Sequence, residues 1–131
     1  MRLKRKLLRG SGLYLIIDRD TLKKPVLDIA VKLAKAGVDI IQLRDKHSSK
    51  AFVLKEAILL SKALKKTRAI FIVNDYPDIA RLSDSDGLHI GQFDIALKEA
   101  RRSLSALFRE FEIVQNQRIS PNKREHPTWY V

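Results

Sequence analysis

Four short apolar runs, 13–17, 38–43, 69–73 and 88–90, alternate along this chain with stretches of helical period, and that alternation leaves few folds open. Leu13-Tyr14-Leu15-Ile16-Ile17 is continuous and bounded by Gly12 and Asp18, the pattern of a strand covered on both faces. A polar loop at 18–21 follows. Pro25 then suits the first turn of a helix, with Val26, Ile29, Ala30 and Leu33 at i, i+3, i+4 and i+7. Gly37 stops that helix, and strand two begins at once over 38–43. Asp45 to Ser49 reads as loop, with Ser48 or Ser49 as N-cap of a helix from Lys50 to Lys66. Its inner stripe is Phe52, Val53, Ala57, Leu60 and Leu64. Strand three is expected over 69–73, a short helix from Pro77 through Leu82, a turn at Asp86-Gly87, and strand four over 88–90. Residues 94–109 carry a further helical period, and Phe111-Glu112-Ile113-Val114 is a candidate fifth strand.

A β-α-β-α order means a parallel sheet with right-handed crossovers. The expected fold class is therefore α/β. About four βα units match half of an eight-fold (β/α) barrel of the TIM type, which typically takes ~250 residues. The expected organisation is a basic lead-in over 1–11, a barrel-like domain over 12–114 and an irregular tail over 115–131. The tail has two prolines and no further βα period, and reads as a loop or as the end of a truncated reading frame. A half-barrel exposes strand edges and an inner face, which predicts self-association.

The composition belongs to a globular protein: 45% of the 131 residues are hydrophobic and 31% charged. Without cysteine there is no disulfide framework, thiolate nucleophile or Cys-ligated zinc, which fits a reducing cytoplasm. No apolar run approaches the ~18–20 residues of a membrane span. The basic N-terminus lacks a signal-type apolar core. A net charge of +11 attracts polyanions in general, but no interleaved aromatics, helix-turn-helix or zinc-finger spacing supports specific reading of nucleic acid.

The chemistry gathers where strands end. Period-2 alternation points Val38, Ile40, Gln42 and Arg44 one way, and Asp39, Ile41 and Leu43 the other. A buried Gln followed by a buried Arg needs partners, because unpaired polar burial costs roughly 2–7 kcal/mol. Gln42 and Arg44 are therefore expected at the carboxyl end of a parallel strand, opening onto a pocket, where α/β folds place ligands. Strand three runs into Asn74-Asp75 and strand four into Gly91-Gln92-Phe93-Asp94. Together these ends supply amide, cationic and carboxylate groups, the mixture that holds a phosphate and a divalent cation. Asp75 and Asp94 are candidate magnesium ligands, and each is also well placed to cap the helix that follows. Gln42, Arg44 and Lys46 are candidate diphosphate ligands. Arg44 could equally pair with Asp75 or Asp18, and Lys46 could be a solvated loop lysine. His89 is expected to be a hydrogen-bonded structural group, and Tyr14 to pack in the core.

QLRDK at 42–46, VND at 73–75 and DGLHIGQFD at 86–94, in that order, resemble the thiamine-phosphate synthase family and its paralogue, the thiazole tautomerase. The resemblance runs over residues 12–104. It implies condensation of hydroxymethylpyrimidine diphosphate with thiazole phosphate to give thiamine phosphate and pyrophosphate. It also implies magnesium on Asp75 and Asp94, charge neutralisation by Arg44 and Lys46, and contacts to the pyrimidine diphosphate from Gln42 and Asn74. The family's Ser/Thr-rich segment after strand five has no equivalent near Ile113 to Gln117, and all five glycines lie at or before Gly91. The tautomerase's catalytic histidine lies beyond strand four, where His126 is a poor substitute. The expectation is a truncated synthase-like protein with impaired turnover. A half-barrel binding or assembly module is the alternative, and a basic nucleic-acid binder a distant third.

Overall fold

The computed structural model describes residues 12–91, 98–99, 102 and 112–115. Among these residues the elements with defined bounds follow one another as β1 (Tyr14–Asp18), α1 (Val26–Lys35), β2 (Ile40–Arg44), α2 (Lys50–Leu64), β3 (Ile70–Asn74), α3 (Pro77–Leu82), β4 (Gly87–Ile90) and β5 (Glu112–Gln115). The sheet order is β1-β2-β3-β4-β5 and every pairing is parallel. The expected βα alternation is thus present, and the fifth strand lies within a residue of its expected place. Lys98, Glu99 and Arg102 are helical, while the rest of the 94–109 segment, the lead-in and the tail beyond Gln115 lie outside the described residues.

The two sheet faces are covered differently, which separates a barrel-type winding from a doubly wound sheet. Ile41, Leu43, Phe71, Val73, Leu88 and Ile90 form one cluster with Val26 and Ala30 of α1, Val53, Ala57, Leu60 and Leu64 of α2, and Ile79 and Ala80 of α3. Ile40, Ile70 and Ile72 form a second cluster with Tyr14, and no residue of α1–α3 belongs to it. Helices α1–α3 therefore lie on one face, and the opposite face is the inner wall of a barrel that does not close among the described residues, where β1 pairs with β2 alone. Full burial of side chains of this size contributes about 1.5–3 kcal/mol each, so the helix face dominates stability.

Local chemistry sets the element ends. Ser49 caps α2, its Oγ accepting from the Phe52 N–H at 3.2 Å. At the end of α1, the Gly37 N–H donates to Ala34 and the Val38 N–H to Leu33, with Gly37 at φ 103. These two bonds make a Schellman motif, whose usual apolar contact joins the residue after the glycine to the last turn. Val38 accordingly packs in the helix-side cluster with Leu33, and does not share the inner face of Ile40 as strand alternation from 38 predicts. The alternation starts only at Ile40, where the strand does. Phe52 departs as well: it is 43% exposed, with the Arg19 guanidinium 5.5 Å from its ring centroid. Val53, Ala57, Leu60 and Leu64 already fill the buried stripe, and Phe52 lies one helical step, about 100°, off it.

Carboxylates at the amino ends of the strands are structural. Asp39 Oδ2 accepts from the Leu13 N–H at 2.9 Å, and Asp86 Oδ2 from the Phe71 N–H at 2.9 Å. The Asp86 N–H returns a bond to the Phe71 carbonyl, also at 2.9 Å. Asp18, Arg44 and Asn74 close their strands at the opposite, carboxyl end.

Candidate active site at the strand tips

A row of hydrogen bonds crosses the inner face from β1 to β4. The Tyr14 hydroxyl donates to Gln42 Oε1 at 2.5 Å. Gln42 Nε2 donates to Asn74 Oδ1 at 2.9 Å, and the same oxygen lies 2.9 Å from His89 Nδ1. Parallel register makes this possible: Ile16, Gln42 and Ile72 are partners, as are Asn74 and His89. Gln42 is 2% exposed, and both ends of its amide are bonded, which answers the need of a buried glutamine for partners. Burial pushes the Tyr14 phenol well above its ordinary range, so it stays a hydroxyl and a donor at neutral pH.

The charged groups sit one step nearer the strand ends. Arg44 Nη1 bonds Asp18 Oδ2 across β1 and β2, the pairing expected had it been structural. Lys46 Nζ lies 3.7 Å from Asp75 Oδ2, with side-chain exposures of 47% and 19%. A pair this open contributes at most about 1 kcal/mol, leaving Lys46 cheap to redirect.

Asp75 is held in an unusual backbone. Its φ is 65, its N–H donates to the His89 carbonyl at 2.8 Å, and the Tyr76 N–H closes back on the Asn74 carbonyl at 2.9 Å. A three-residue turn of this kind is rare and strained for a residue with a Cβ. Tyr76, not Asp75, occupies the N-cap position of α3, without a side-chain cap bond. Asp94 lies outside the described residues. Among the described residues there is no group of three or more His, Cys, Asp or Glu side chains that could hold a metal.

The loop that carries Lys46 is organised by Asp45, which sequence reasoning passed over. Its carboxylate is buried, and Oδ1 accepts from the Ser48 N–H at 2.9 Å and the His47 N–H at 3.2 Å. Burial acts to raise its pKa, but the bonds from Ser48 and His47 and the Arg19 charge outweigh it and hold the carboxyl below its ordinary range. An Asp two and three residues before two loop N–H groups is the available sequence signal. A cavity of about 310 Å³ opens beside this loop, lined by Arg19, Asp20, Leu22, Lys23, Asp45, His47 and Ser48. None of Gln42, Arg44, Lys46, Asn74 and Asp75 lines it.

The structure thus brings Gln42 to Asn74 and Lys46 to Asp75, and turns Arg44 toward Asp18. It also adds Tyr14 and His89 to the polar row, His89 as the hydrogen-bonded group expected of it. An inner wall of neutral amides beneath a charged rim can hold a molecule with a neutral ring and an anionic group.

Most of the chain is similar to known proteins. The chain is 38% identical over 104 residues to a thiamine-phosphate synthase of Methanosarcina mazei, covering 79% of this chain and 43% of that protein. It is 41% identical over 93 residues to a thiamine-phosphate synthase of Lawsonia intracellularis, covering 70% and 42%. Among solved structures, a thiamine phosphate pyrophosphorylase from Pyrococcus furiosus superposes with a TM-score of 0.69 at 26% identity, over 85% of this chain and 51% of that one. The open parallel sheet is accordingly part of a TIM-type barrel, and the chain spans less than half the length of the two relatives. The family model described as thiamine monophosphate synthase matches residues 13–108, well over half of the chain, and the protein belongs to that family.

Proposed function

We propose that this chain carries the diphosphate-binding part of a thiamine-phosphate synthase. The reaction joins hydroxymethylpyrimidine diphosphate to thiazole phosphate: the methylene C–O bond breaks with its electron pair going to pyrophosphate, and the thiazole nitrogen forms the new C–N bond. The observation that carries the reading is the stacking of two layers at adjacent strand tips. The Gln42–Asn74 amide pair lies below, and Lys46, Arg44 and Asp75 lie above.

In this reading Gln42 and Asn74 orient the pyrimidine diphosphate, while Arg44 and Lys46 neutralise charge as it grows on the leaving oxygen. Cations already in place stabilise that charge without solvent reorganisation. Lys46 exchanges a loose pair with Asp75 for the phosphate oxygens; Arg44 gives up a closer pair with Asp18. Magnesium suits one or two carboxylates completed by phosphate oxygens and water, so the Asp75 carboxylate at the rim is a fitting protein ligand without a larger cluster. Asp94 is its proposed companion. When bound, the ion supplies positive charge to the diphosphate.

Calorimetry of inorganic pyrophosphate, with and without magnesium, on the full chain and on Asp75→Ala tests the proposal. Magnesium-dependent binding that Asp75→Ala abolishes supports it. Binding indifferent to both the metal and the substitution refutes it. No helix among the described residues is long and apolar enough to cross a membrane. A cytoplasmic setting is part of the proposal.

A second reading, an assembly module that pairs through its sheet edges, is favoured by one observation. On the edge strand and just before it, Ile16 is 53% and Leu13 58% exposed. A strictly monomeric chain in sedimentation equilibrium excludes self-pairing.

A further inference from the structure

The row from Tyr14 to His89 can in principle run in either direction. Turning both amides over exchanges oxygen for NH2 at every joint and still satisfies each group, provided Tyr14 accepts and His89 Nδ1 is unprotonated. In the observed direction Tyr14 donates to Gln42 Oε1 and Gln42 Nε2 donates to Asn74 Oδ1. An amide oxygen only accepts, so His89 Nδ1, 2.9 Å from the same atom, carries its proton. The Asn74 oxygen is then engaged by two donors, and its NH2 is the end left to meet a ligand.

We propose that Tyr14 and His89 are positioning residues, donors at the two ends of a four-strand row that lock the Gln42 and Asn74 amides so that Asn74 offers its NH2 to a ring acceptor of the bound molecule. The ligand half of this rests on the synthase reading above; the direction of the row does not. A phenol donates more readily than it accepts, since its lone pairs are delocalised into the ring. Tyr14 thereby biases the whole row, including an imidazole three strands away.

That remote coupling has a readout a packing role does not share. Long-range proton–nitrogen correlation spectra of the 15N-labelled full chain, taken above the ordinary imidazole pKa, report the tautomer of each histidine. The signals of His89 are identified by their loss in His89→Asn. The expected result is the Nδ1–H tautomer in the wild type and a marked gain of Nε2–H in Tyr14→Phe. A wild-type Nε2–H tautomer, or a tautomer untouched by Tyr14→Phe, overturns the proposal. Should Tyr14→Phe fail to fold, the wild-type spectrum decides.

Calorimetry supplies the ligand arm, with hydroxymethylpyrimidine diphosphate and inorganic pyrophosphate as probes in the presence of magnesium. Tyr14→Phe and His89→Gln should each weaken the pyrimidine compound about tenfold, the equivalent of roughly one hydrogen bond, with pyrophosphate affinity unchanged. His89→Asn should restore binding, because an asparagine amide nitrogen falls near the Nδ1 position and a glutamine nitrogen near Nε2. Equal losses for both probes, or rescue by Gln rather than Asn, overturn the positioning role. If the wild type binds neither probe, the synthase reading fails and the tautomer measurement alone judges the row.

Discussion

Asp75 lets backbone strain be separated from chemistry. At φ 65 it pays for its Cβ, since a left-handed residue other than glycine costs roughly 1–2 kcal/mol. Asp75→Gly and Asp75→Ala remove the same carboxylate and the same loose pair with Lys46, so their difference isolates the backbone. Glycine relieves the strain but returns about 0.4–1 kcal/mol to the unfolded chain as entropy. The net expectation is that Asp75→Gly is more stable than Asp75→Ala by about 1 kcal/mol. With a urea slope of about 2 kcal/mol/M, the unfolding midpoint of Asp75→Gly should lie roughly 0.5 M higher. Both variants should lose magnesium-dependent pyrophosphate binding equally. An Asp75→Ala chain as stable as Asp75→Gly would show that the turn is not strained.

Other perturbations follow from the same geometry. Gly37→Ala should cost about 1 kcal/mol in urea unfolding from strain alone, because a Cβ there meets nothing within 4 Å while φ is 103. Phe71→Ala empties the centre of the helix-side core and should cost about 3–5 kcal/mol by the same measurement. Lys46→Ala should weaken pyrophosphate binding in calorimetry while leaving the melting temperature nearly unchanged, since its one pair is half-exposed. Glu56 is pushed up by burial, with the Asp45 charge adding to it, and its Oε2 is buried without a partner. A carboxyl whose folded pKa is raised stabilises the fold while protonated and penalises it above that pKa. Glu56→Gln should therefore raise the urea midpoint at pH 7 relative to wild type, and the advantage should shrink as pH falls through the folded pKa of Glu56. Asp45 has the opposite slope: its depressed pKa contributes stability above the ordinary carboxylate range, lost as pH falls through the folded value.

What the chain order alone determined is the local grammar. Apolar runs of strand length between helical periods, Ser49 as a cap, Gly37 as a stop and Pro77 as a start depend on neighbours within a few residues, and all stand where the periods put them. Period 2 also placed Gln42 and Arg44 on the inner face at a strand end. Tertiary structure decided who meets whom there, because partners 26, 28 and 32 positions apart are chosen by strand register and not by local preference. Register set Arg44 against Asp18 and gave Gln42 both Tyr14 and Asn74. It also put His89 on the oxygen of Asn74. Val38 and Phe52 show the same limit in packing. A helix end bound Val38 to the opposite face, and a stripe already full left Phe52 outside, and neither outcome can be seen until the elements are laid against one another.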